Sequence, residues 1–268
     1  MMDHGVRNIL GVRVSAVDYE FAVSRIIDCA KAGRRCTVSA LAVHGVMTGA
    51  LDSTHRYRLN HLDFVMPDGQ PVRWALNLLY GTELHDTVCG PSLTIRLCKE
   101  AARQGIPVYF YGSAENTLTK LQANLTERFP SLIIAGAEPS KFRKLTEEEQ
   151  QEAAERIRNS KAGILFVGLG CPRQEVFAYE MGKLLPISIL AVGAAFDYHA
   201  GLLMDSPRIV ERLGLCWLHR LLQEPRRLWR RYLVTNTQFI ALLFAQWLHL
   251  WKPEPENTIP CGTDLRFG

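Results

Sequence analysis

An acidic residue stands between a short apolar run and a helical pattern in the segment Pro67–Pro71, Pro-Asp-Gly-Gln-Pro. The apolar run ends at Met66, so a strand there would place Asp68 at the mouth of a sheet. A carboxylate in that position can take a proton from a bound hydroxyl as a general base. The Asp-Gly pair also suits a turn or a helix cap that does no chemistry. Spacing alone favours the turn or cap, so Asp68 is a candidate base that needs further support.

Two other loops offer backbone amides to a phosphorylated ligand. Gly168 and Gly170 follow a strand-like run and lead to Arg173, and Gly112-Ser113 follows another such run. Glycines before a helix let N–H groups approach a phosphate closely. A tight turn with a solvated Arg173, or a helix cap formed by Ser113, explains these loops equally well. The third glycine and the later acidic residue of a dinucleotide fingerprint are missing, so such a site is not predicted.

A fourth loop places Asp197 and His199 after the last strand-like run, where each is a candidate hydrogen-bonding group. The sequence contains no Asp-x-Asp, no His-Glu-x-x-His and no paired Cys/His set, so it predicts no metal site and no cofactor. Seven cysteines are an odd number and are widely spaced, with no Cys-x-x-Cys pair. This pattern indicates reduced thiols rather than a disulfide framework.

Strand-like and helical patterns alternate over most of the chain. This order predicts an α/β fold with a Rossmann-like parallel sheet and helices on both faces. Ligands of such sheets bind beyond the carboxyl ends of the strands, where the four loops lie. The predicted strands are Ile9–Val14, Thr37–Val43, Phe64–Met66, Val108–Tyr111, Ile164–Gly168 and Ile187–Val192. The predicted helices are Tyr19–Ala32, Val72–Leu79, Ser92–Gln104, Glu115–Phe129 and Thr146–Ser160, the last with a capping box of Thr146 and Glu149.

The alternation stops after Met204, which predicts a catalytic unit over residues 1–205 and a helical appendage over residues 206–268. Between residues 206 and 252 there are eight Lys/Arg and two Glu, and four of the five tryptophans lie there. Arg, Trp and Leu together are typical of helices that lie on an anionic membrane. The thirteen apolar-rich residues Phe239–Trp251 are too few to span a bilayer.

Proline is tolerated in the first turn of a helix, so Glu224-Pro225 predicts the start of a second helix in the appendage. If one helix ran on instead, Arg220, Arg227 and Arg231 would fall on nearly one face. Such a face can neutralise a diphosphate, although a solvated basic face is the usual explanation of a charge run. The N-terminal residues lack the apolar core of a signal peptide, which predicts a chain that stays in the cytoplasm.

Four blocks of the chain, in order, resemble the WecG/TagA/CpsF family of bacterial glycosyltransferases. The similarity extends from Ile9 to about Phe239. Its most specific parts are Pro67–Gly69 (PDG), Leu165–Glu175 (LFVGLGCPRQE), Val192–Asp197 (VGAAFD) and Leu213–Tyr232 (LGLCWLHRLLQEPRRLWRRY).

This resemblance implies an inverting, metal-independent enzyme that moves a hexose or N-acetylhexosamine from a UDP-sugar to a polyprenyl-diphosphate-linked saccharide. It also implies that the enzyme acts at the inner face of the plasma membrane, during assembly of a surface polysaccharide. The partners would be the donor, the lipid-linked acceptor and an anionic membrane, and not nucleic acid. A homo-oligomer is left open.

The resemblance also implies roles for individual residues. Asp68 matches the proposed general base, and Gln174 matches a residue near the sugar. Arg220, Arg227 and Arg230 match arginines that close over the diphosphate. The chain departs from the family after the second strand of the α/β pattern, where Ala40–His44 stands in place of a Thr-x-Asn motif and the threonine is displaced to Thr37 or replaced by Ser39. The donor is therefore open between N-acetylmannosamine, glucose and another hexose.

Three other functions compete with this one. A non-catalytic nucleotide-binding or membrane-associated accessory protein would share the loops but not need Asp68. A nucleic-acid-binding protein would explain the basic appendage, but four tryptophans and the long apolar run favour lipid. A nicotinamide-dependent oxidoreductase is the weakest of the three because its glycine spacing is missing.

Overall fold

The computed structural model of this 268-residue protein describes residues 1–207, 210 and 215–252. The chain begins with an antiparallel hairpin of β1 (Asp3–Ile9) and β2 (Val12–Val17). Its turn residues Leu10 and Gly11 have φ angles of 52° and 87°, which a tight hairpin turn requires. The predicted single strand from Ile9 to Val14 is therefore wrong, because the chain reverses in the middle of that apolar run.

Six parallel strands form the central sheet, in the order β4-β3-β8-β7-β5-β6. They are β3 (Cys36–Leu41), β4 (Phe64–Pro67), β5 (Val108–Gly112), β6 (Ile134–Glu138), β7 (Ile164–Gly168) and β8 (Ser188–Ala191). The predicted parallel α/β sheet is confirmed. The edge strand β6 was not predicted, because its residues are half-buried and its apolar run is weak.

Helices cover both faces of the sheet. Alternate residues of β5 enter opposite layers, since Tyr109 and Tyr111 belong to one buried cluster while Val108 and Phe110 belong to the other. The helices of this unit are α1 (Tyr19–Lys31), α2 (Val43–Leu51), α3 (Ser53–Asn60), α4 (Gln70–Tyr80), α5 (Gly90–Gln104), α6 (Glu115–Arg128), α7 (Glu147–Asn159), α8 (Arg173–Met181) and α9 (Ala195–His199).

Two details of the helices bear on the sequence predictions. The capping box of Thr146 and Glu149 is present at the start of α7, as predicted. The predicted strand Thr37–Val43 ends two residues early, because Val43 already begins α2. The helices α2 and α3 were not predicted; α3 contains buried His55, Arg56 and Arg58, which obscure an apolar stripe.

The C-terminal helices, residues 215–252, pack on the α/β unit. They are α10 (Cys216–Gln223), α11 (Pro225–Arg230), a π-helical segment (Arg231–Asn236) and α12 (Thr237–Trp247). Pro225 starts α11, as predicted. Phe239 and Leu243 are buried in the same cluster as Ile9. The Gln246 side chain accepts a hydrogen bond from the Leu10 amide and donates one to the Asn8 carbonyl, both at 2.9 Å.

Of the helical stretch predicted from Ser206, residues 208–209 and 211–214 lie outside the described residues, and Cys216–Gln223 is helical as α10. The division into two domains at residue 205 stays a prediction. Among the helices of the described residues, none combines the length and the apolar composition needed to cross a membrane.

Candidate active site

A cleft of about 620 Å³ lies at the carboxyl ends of the parallel strands. The loops after β3, β4, β5, β7 and β8 all contribute to it, and the C-terminal helices close one side. Its volume falls within the range of ordinary ligand sites. Several residues that the sequence predicted for a site do line this cleft. They are the polar residues Asp68, Ser113, Arg173, Gln174, Asp197, Arg220 and Arg227, together with Gly168 and Gly170.

Asp68 lies directly after β4, where its amide donates to the Leu41 carbonyl at 3.2 Å. This bond fixes the loop against the end of β3. The N-cap of α4 is Gly69, with φ of 84°, so Asp68 is not the helix cap that was one interpretation of its position. The carboxylate is half-buried and lines the cleft. Its charge contributes to the raised pKa of the nearby Cys89 thiol, after the larger effect of burial.

The two glycines at the ends of β5 and β7 allow close packing, of β5 against β7 at Gly112 and of β7 against α9 at Gly168. A Cβ on Gly112 would lie 2.7 Å from the Gly168 carbonyl oxygen, and a Cβ on Gly168 would lie 2.6 Å from the Phe196 ring. Gly112 does not itself line the cleft, so its assignment as a ligand contact stays a prediction without support from this arrangement. The N-cap of α6 is Ala114, and Ser113 faces the cleft instead of capping that helix.

Gln174 joins two of the cleft loops. Its side-chain oxygen accepts hydrogen bonds from the amides of Gly170 and Gly193, at 3.2 and 3.0 Å. Its side-chain nitrogen donates to Glu175 Oε1 at 2.9 Å. Gln174 is only 2% exposed, so most of its hydrogen-bonding capacity serves the loops that form the cleft. Its implied role near the sugar stays a prediction.

The change Gln174→Met keeps the side-chain volume but leaves the amides of Gly170 and Gly193 without their acceptor. We expect a loss of ~1–3 kcal/mol in the free energy of unfolding, because the buried Glu175 carboxylate loses the bond from Gln174 and two part-buried amides lose their acceptor. Urea unfolding measures this value. Gln122→Met is the matched control, since the Gln122 side chain bonds only the Leu118 carbonyl of its own helix in the described structure. An equal effect in both variants would contradict the bracing role.

Glu175 extends the same network beneath the cleft. Its Oε1 also accepts a hydrogen bond from Ser39 at the end of β3, at 3.1 Å. Burial raises the pKa of this carboxyl, while the bonds from Gln174 and Ser39 oppose that change. Ser39, Gln174 and Glu175 thus connect strand β3 with the loops after β7 and β8.

Two arginines of the C-terminal helices enter the cleft as a pair. Arg220 and Arg227 both contact Glu224 Oε2, at 2.8 and 2.7 Å. The Arg220 guanidinium also lies 5.0 Å from the centre of the Tyr198 ring, which holds it over α9. The helix ends at Gln223 and restarts at Pro225, so the pair meets on Glu224 and not along one continuous helix. The arginine face predicted for one continuous helix is therefore wrong, because the helix is interrupted at Glu224.

Two other predicted contacts lie elsewhere. Thr37 is buried near the start of β3, where its hydroxyl donates to Asp63 Oδ2 at 2.9 Å, far along the strand from its carboxyl end. Its assignment as a substrate contact stays a prediction without support from this placement. Arg230 is exposed and does not line the cleft, so its implied role at a diphosphate stays a prediction without support from this arrangement.

Asp197 and His199 lie on α9, beside the arginine pair. Burial raises the pKa of Asp197, and the charge of Arg220 partly offsets that effect. His199 is half-buried, and its Nε2 lies 2.9 Å from the Pro91 carbonyl. Because a carbonyl can only accept, Nε2 carries the proton there. Burial lowers the pKa of His199 below 6.5, although the bond to Pro91 opposes this.

The lowered pKa of His199 predicts that acid destabilises the fold. Below the unfolded-state pKa of 6.5 the unfolded chain binds the proton more readily, so stability decreases as the pH falls toward the folded pKa. We expect the thermal midpoint to fall between about pH 7.5 and 5.5, and to fall less in His199→Gln. The exposed His61 supplies the control, because His61→Gln should behave as the wild type does. Identical pH profiles in all three proteins would contradict this assignment.

Several cleft residues were missed by the sequence predictions. Trp74 of α4 lines the cleft although its side chain is 53% exposed, and Cys89, Tyr198 and Tyr232 also face it. The sequence signal available for Trp74 was a tryptophan about one turn into the helix that follows Asp68. Tyr232 had no such signal, because its position depends on how the C-terminal helices dock. Tyr198 faces the cleft from α9, next to the predicted Asp197.

The chain matches the model of the glycosyl transferase WecG/TagA/CpsF family over residues 7–253. A relative from Bacillus spizizenii is 32% identical over 186 residues, which is 69% of this chain and 70% of the relative. That relative is named N-acetylglucosaminyldiphosphoundecaprenol N-acetyl-beta-D-mannosaminyltransferase. The family match includes the loops that form the cleft and the helices that supply its arginines. The protein therefore belongs to the WecG/TagA/CpsF family of glycosyltransferases, as the resemblance of the four sequence blocks indicated.

Proposed function

We propose that this glycosyltransferase transfers a sugar from a UDP-sugar to a polyprenyl-diphosphate-linked saccharide, with inversion and without a metal ion. The observation that carries the proposal is the position of Asp68 and the pair Arg220 and Arg227 in one cleft. One group can accept a proton, and the other two can hold a departing diphosphate. The product would serve the assembly of a bacterial surface polysaccharide.

The proposed reaction is a single displacement at the anomeric carbon. Asp68 removes the proton of the acceptor hydroxyl as that oxygen forms the new glycosidic bond. The bond to UDP breaks on the opposite face, and the electron pair leaves with the diphosphate. Arg220 and Arg227 would bind these oxygens with charge-assisted hydrogen bonds, which act most strongly as the negative charge develops. Glu224 holds both arginines in place before the ligand arrives.

The named substrate of the relative suggests an N-acetylglucosamine unit on a polyprenyl diphosphate as the acceptor. The donor is less constrained. Ala40 and Ala42 line the cleft at the position where the family often has a Thr-x-Asn motif, so those polar contacts are absent from this side. UDP-N-acetylmannosamine and UDP-glucose are therefore both donors to be compared directly.

The C-terminal helices would hold the enzyme on the inner face of the plasma membrane. One side of these helices buries Leu228, Phe239 and Leu243 within the protein. The exposed apolar stripe on them comprises Trp229, Leu233, Ile240, Phe244, Trp247 and Leu248. It adjoins the cleft, because Leu228 and Tyr232 line the cleft next to the first two of these residues. A lipid surface at the stripe would bring a lipid-linked acceptor to the opening.

The change Phe244→Asp tests this contact. Burial of a phenylalanine side chain contributes ~1.5–3 kcal/mol, so its loss should weaken partitioning onto anionic liposomes about 10-fold or more. Sedimentation with liposomes measures the bound fraction. Ile133→Asp is the control, because Ile133 is an exposed apolar residue before β6 and away from the stripe. Equal losses in both variants would contradict a specific role for the stripe.

The activity itself is tested by UDP release from a panel of UDP-sugars, with and without polyprenyl-diphosphate N-acetylglucosamine in liposomes. The proposal predicts acceptor-dependent release from one donor, unchanged by EDTA. Acceptor-dependent release that EDTA abolishes and added Mg²⁺ or Mn²⁺ restores would reject the metal-independent mechanism. No release with any donor, in protein shown by titration to bind UDP, would reject sugar transfer to this acceptor.

A further inference from the structure

Three side chains from separate parts of the chain converge beneath the cleft. They are His55 of α3, Cys171 of the loop after β7 and Glu175 of α8. One ligand atom from each lies within 4.8 Å of the other two. No motif in the sequence predicts this group, because His55 is far from Cys171 and Glu175 along the chain and only folding brings the three together.

Two of the three side chains are deeply buried and carry atoms that lack hydrogen-bond partners. His55 is 1% exposed, and neither of its ring nitrogens has a partner. Glu175 is fully buried, and its Oε2 has no partner, whereas its Oε1 accepts bonds from Ser39 and Gln174. Polar atoms buried in this way are rare without a ligand, an ion or an ordered water to satisfy them.

The chemistry of the three atoms selects among cations. Imidazole nitrogen, thiolate sulfur and carboxylate oxygen together suit Zn²⁺ and related ions, whereas Mg²⁺ and Ca²⁺ prefer oxygen ligands alone. Ligands around a tetrahedral zinc ion lie about 3.3–3.8 Å apart, given the usual bond lengths. The three side chains would therefore move together by about 1 Å, which small side-chain rotations provide.

We propose that His55, Cys171 and Glu175 form a binding site for a divalent cation of the zinc class. Glu175 would supply Oε2, so its bonds to Ser39 and Gln174 through Oε1 remain in place. The ion would connect α3 to the start of α8. Cys171 and Glu175 also line the cleft, so a fourth coordination position on that side is open to water or to a ligand. This inference does not depend on the proposed sugar transfer, which uses no metal.

The test is metal binding by the full chain after treatment with a chelator. Zn²⁺ titration against a chromophoric competitor gives the affinity and stoichiometry, and Co²⁺ gives the thiolate-to-metal charge-transfer band in the near ultraviolet. We expect one equivalent of either ion, and a thiolate band that is lost in Cys171→Ser. His55→Gln should weaken Zn²⁺ binding by 10-fold or more. His61→Gln and Cys261→Ser are controls for other histidines and for the cysteine outside the described residues, and both should bind as the wild type does.

Thermal unfolding establishes that each variant is folded before it is titrated. Less than one tenth of an equivalent bound by the wild-type chain would overturn the proposal. Equal binding by the wild type, Cys171→Ser and His55→Gln would overturn it as well. If His55→Gln fails to fold, the loss of the Co²⁺ band in Cys171→Ser, with the band kept in Cys261→Ser, still decides the question.

Discussion

Asp68→Asn is expected to reduce turnover by about 10²–10⁴-fold, the usual contribution of a general base. Asparagine has nearly the same size and can keep hydrogen bonds in the loop, but it does not accept the proton of the acceptor hydroxyl. The fold and UDP binding should therefore be preserved. Steady-state rates of UDP release at saturating donor and acceptor measure turnover. UDP titration measures binding, and thermal unfolding measures the stability of the fold.

A matched control comes from an aspartate outside the cleft. Asp86 is exposed, lies between α4 and α5, and does not line the cleft. Asp86→Asn should retain wild-type turnover. Full activity of Asp68→Asn would reject the base assignment, and a variant that no longer binds UDP would show that Asp68 acts in binding instead.

Arg220→Ala is expected to lower kcat/KM by about 10²–10³-fold, the scale seen when one preorganised donor to a developing negative charge is removed. The arrangement makes Arg220 the more constrained member of the pair, because Glu224 and the Tyr198 ring both hold it. Arg220→Lys should give an intermediate loss, since lysine keeps the charge but not the paired donors of a guanidinium. Initial rates over a range of donor concentrations separate kcat from KM.

The control for the arginine is Arg226→Ala. Arg226 lies next to Arg227 in α11, but it is exposed and does not line the cleft. It carries the same charge, so any general effect of net charge or membrane attraction should appear in both variants. Equal activity losses in Arg220→Ala and Arg226→Ala would indicate an electrostatic effect of the whole appendage and would contradict a specific contact with the diphosphate.

Local sequence patterns predicted the parallel sheet because its strands are short and apolar and are separated by helical spacing. The same logic failed at Ile9–Val14, where an apolar run hides a hairpin turn at Leu10 and Gly11. It also failed at α3, whose inward side includes charged residues that only tertiary packing places there. Hydrophobic pattern thus predicted elements well where burial follows residue type, and poorly where polar side chains are buried.

The general location of the site was predictable, because loops after parallel strands converge at one edge of a sheet. The roles of individual residues were less predictable. Gln174 braces two loops, and Thr37 pairs with Asp63 instead of facing the cleft. Arg220 and Arg227 were grouped by helical spacing. In the structure they lie on two separate helices, and both contact Glu224, which stands between those helices. These outcomes depend on contacts between distant segments, which spacing does not contain.

The configuration of the product tests the proposed mechanism most directly. An α-linked UDP-sugar donor should give a product with one new β-glycosidic bond, because a single displacement assisted by Asp68 inverts the anomeric carbon. Proton–carbon coupling at that carbon, measured by NMR on the sugar released from the polyprenyl diphosphate, distinguishes the two anomers. A β-linked product supports direct attack by the acceptor across the cleft. An α-linked product would contradict it and require a mechanism that retains configuration.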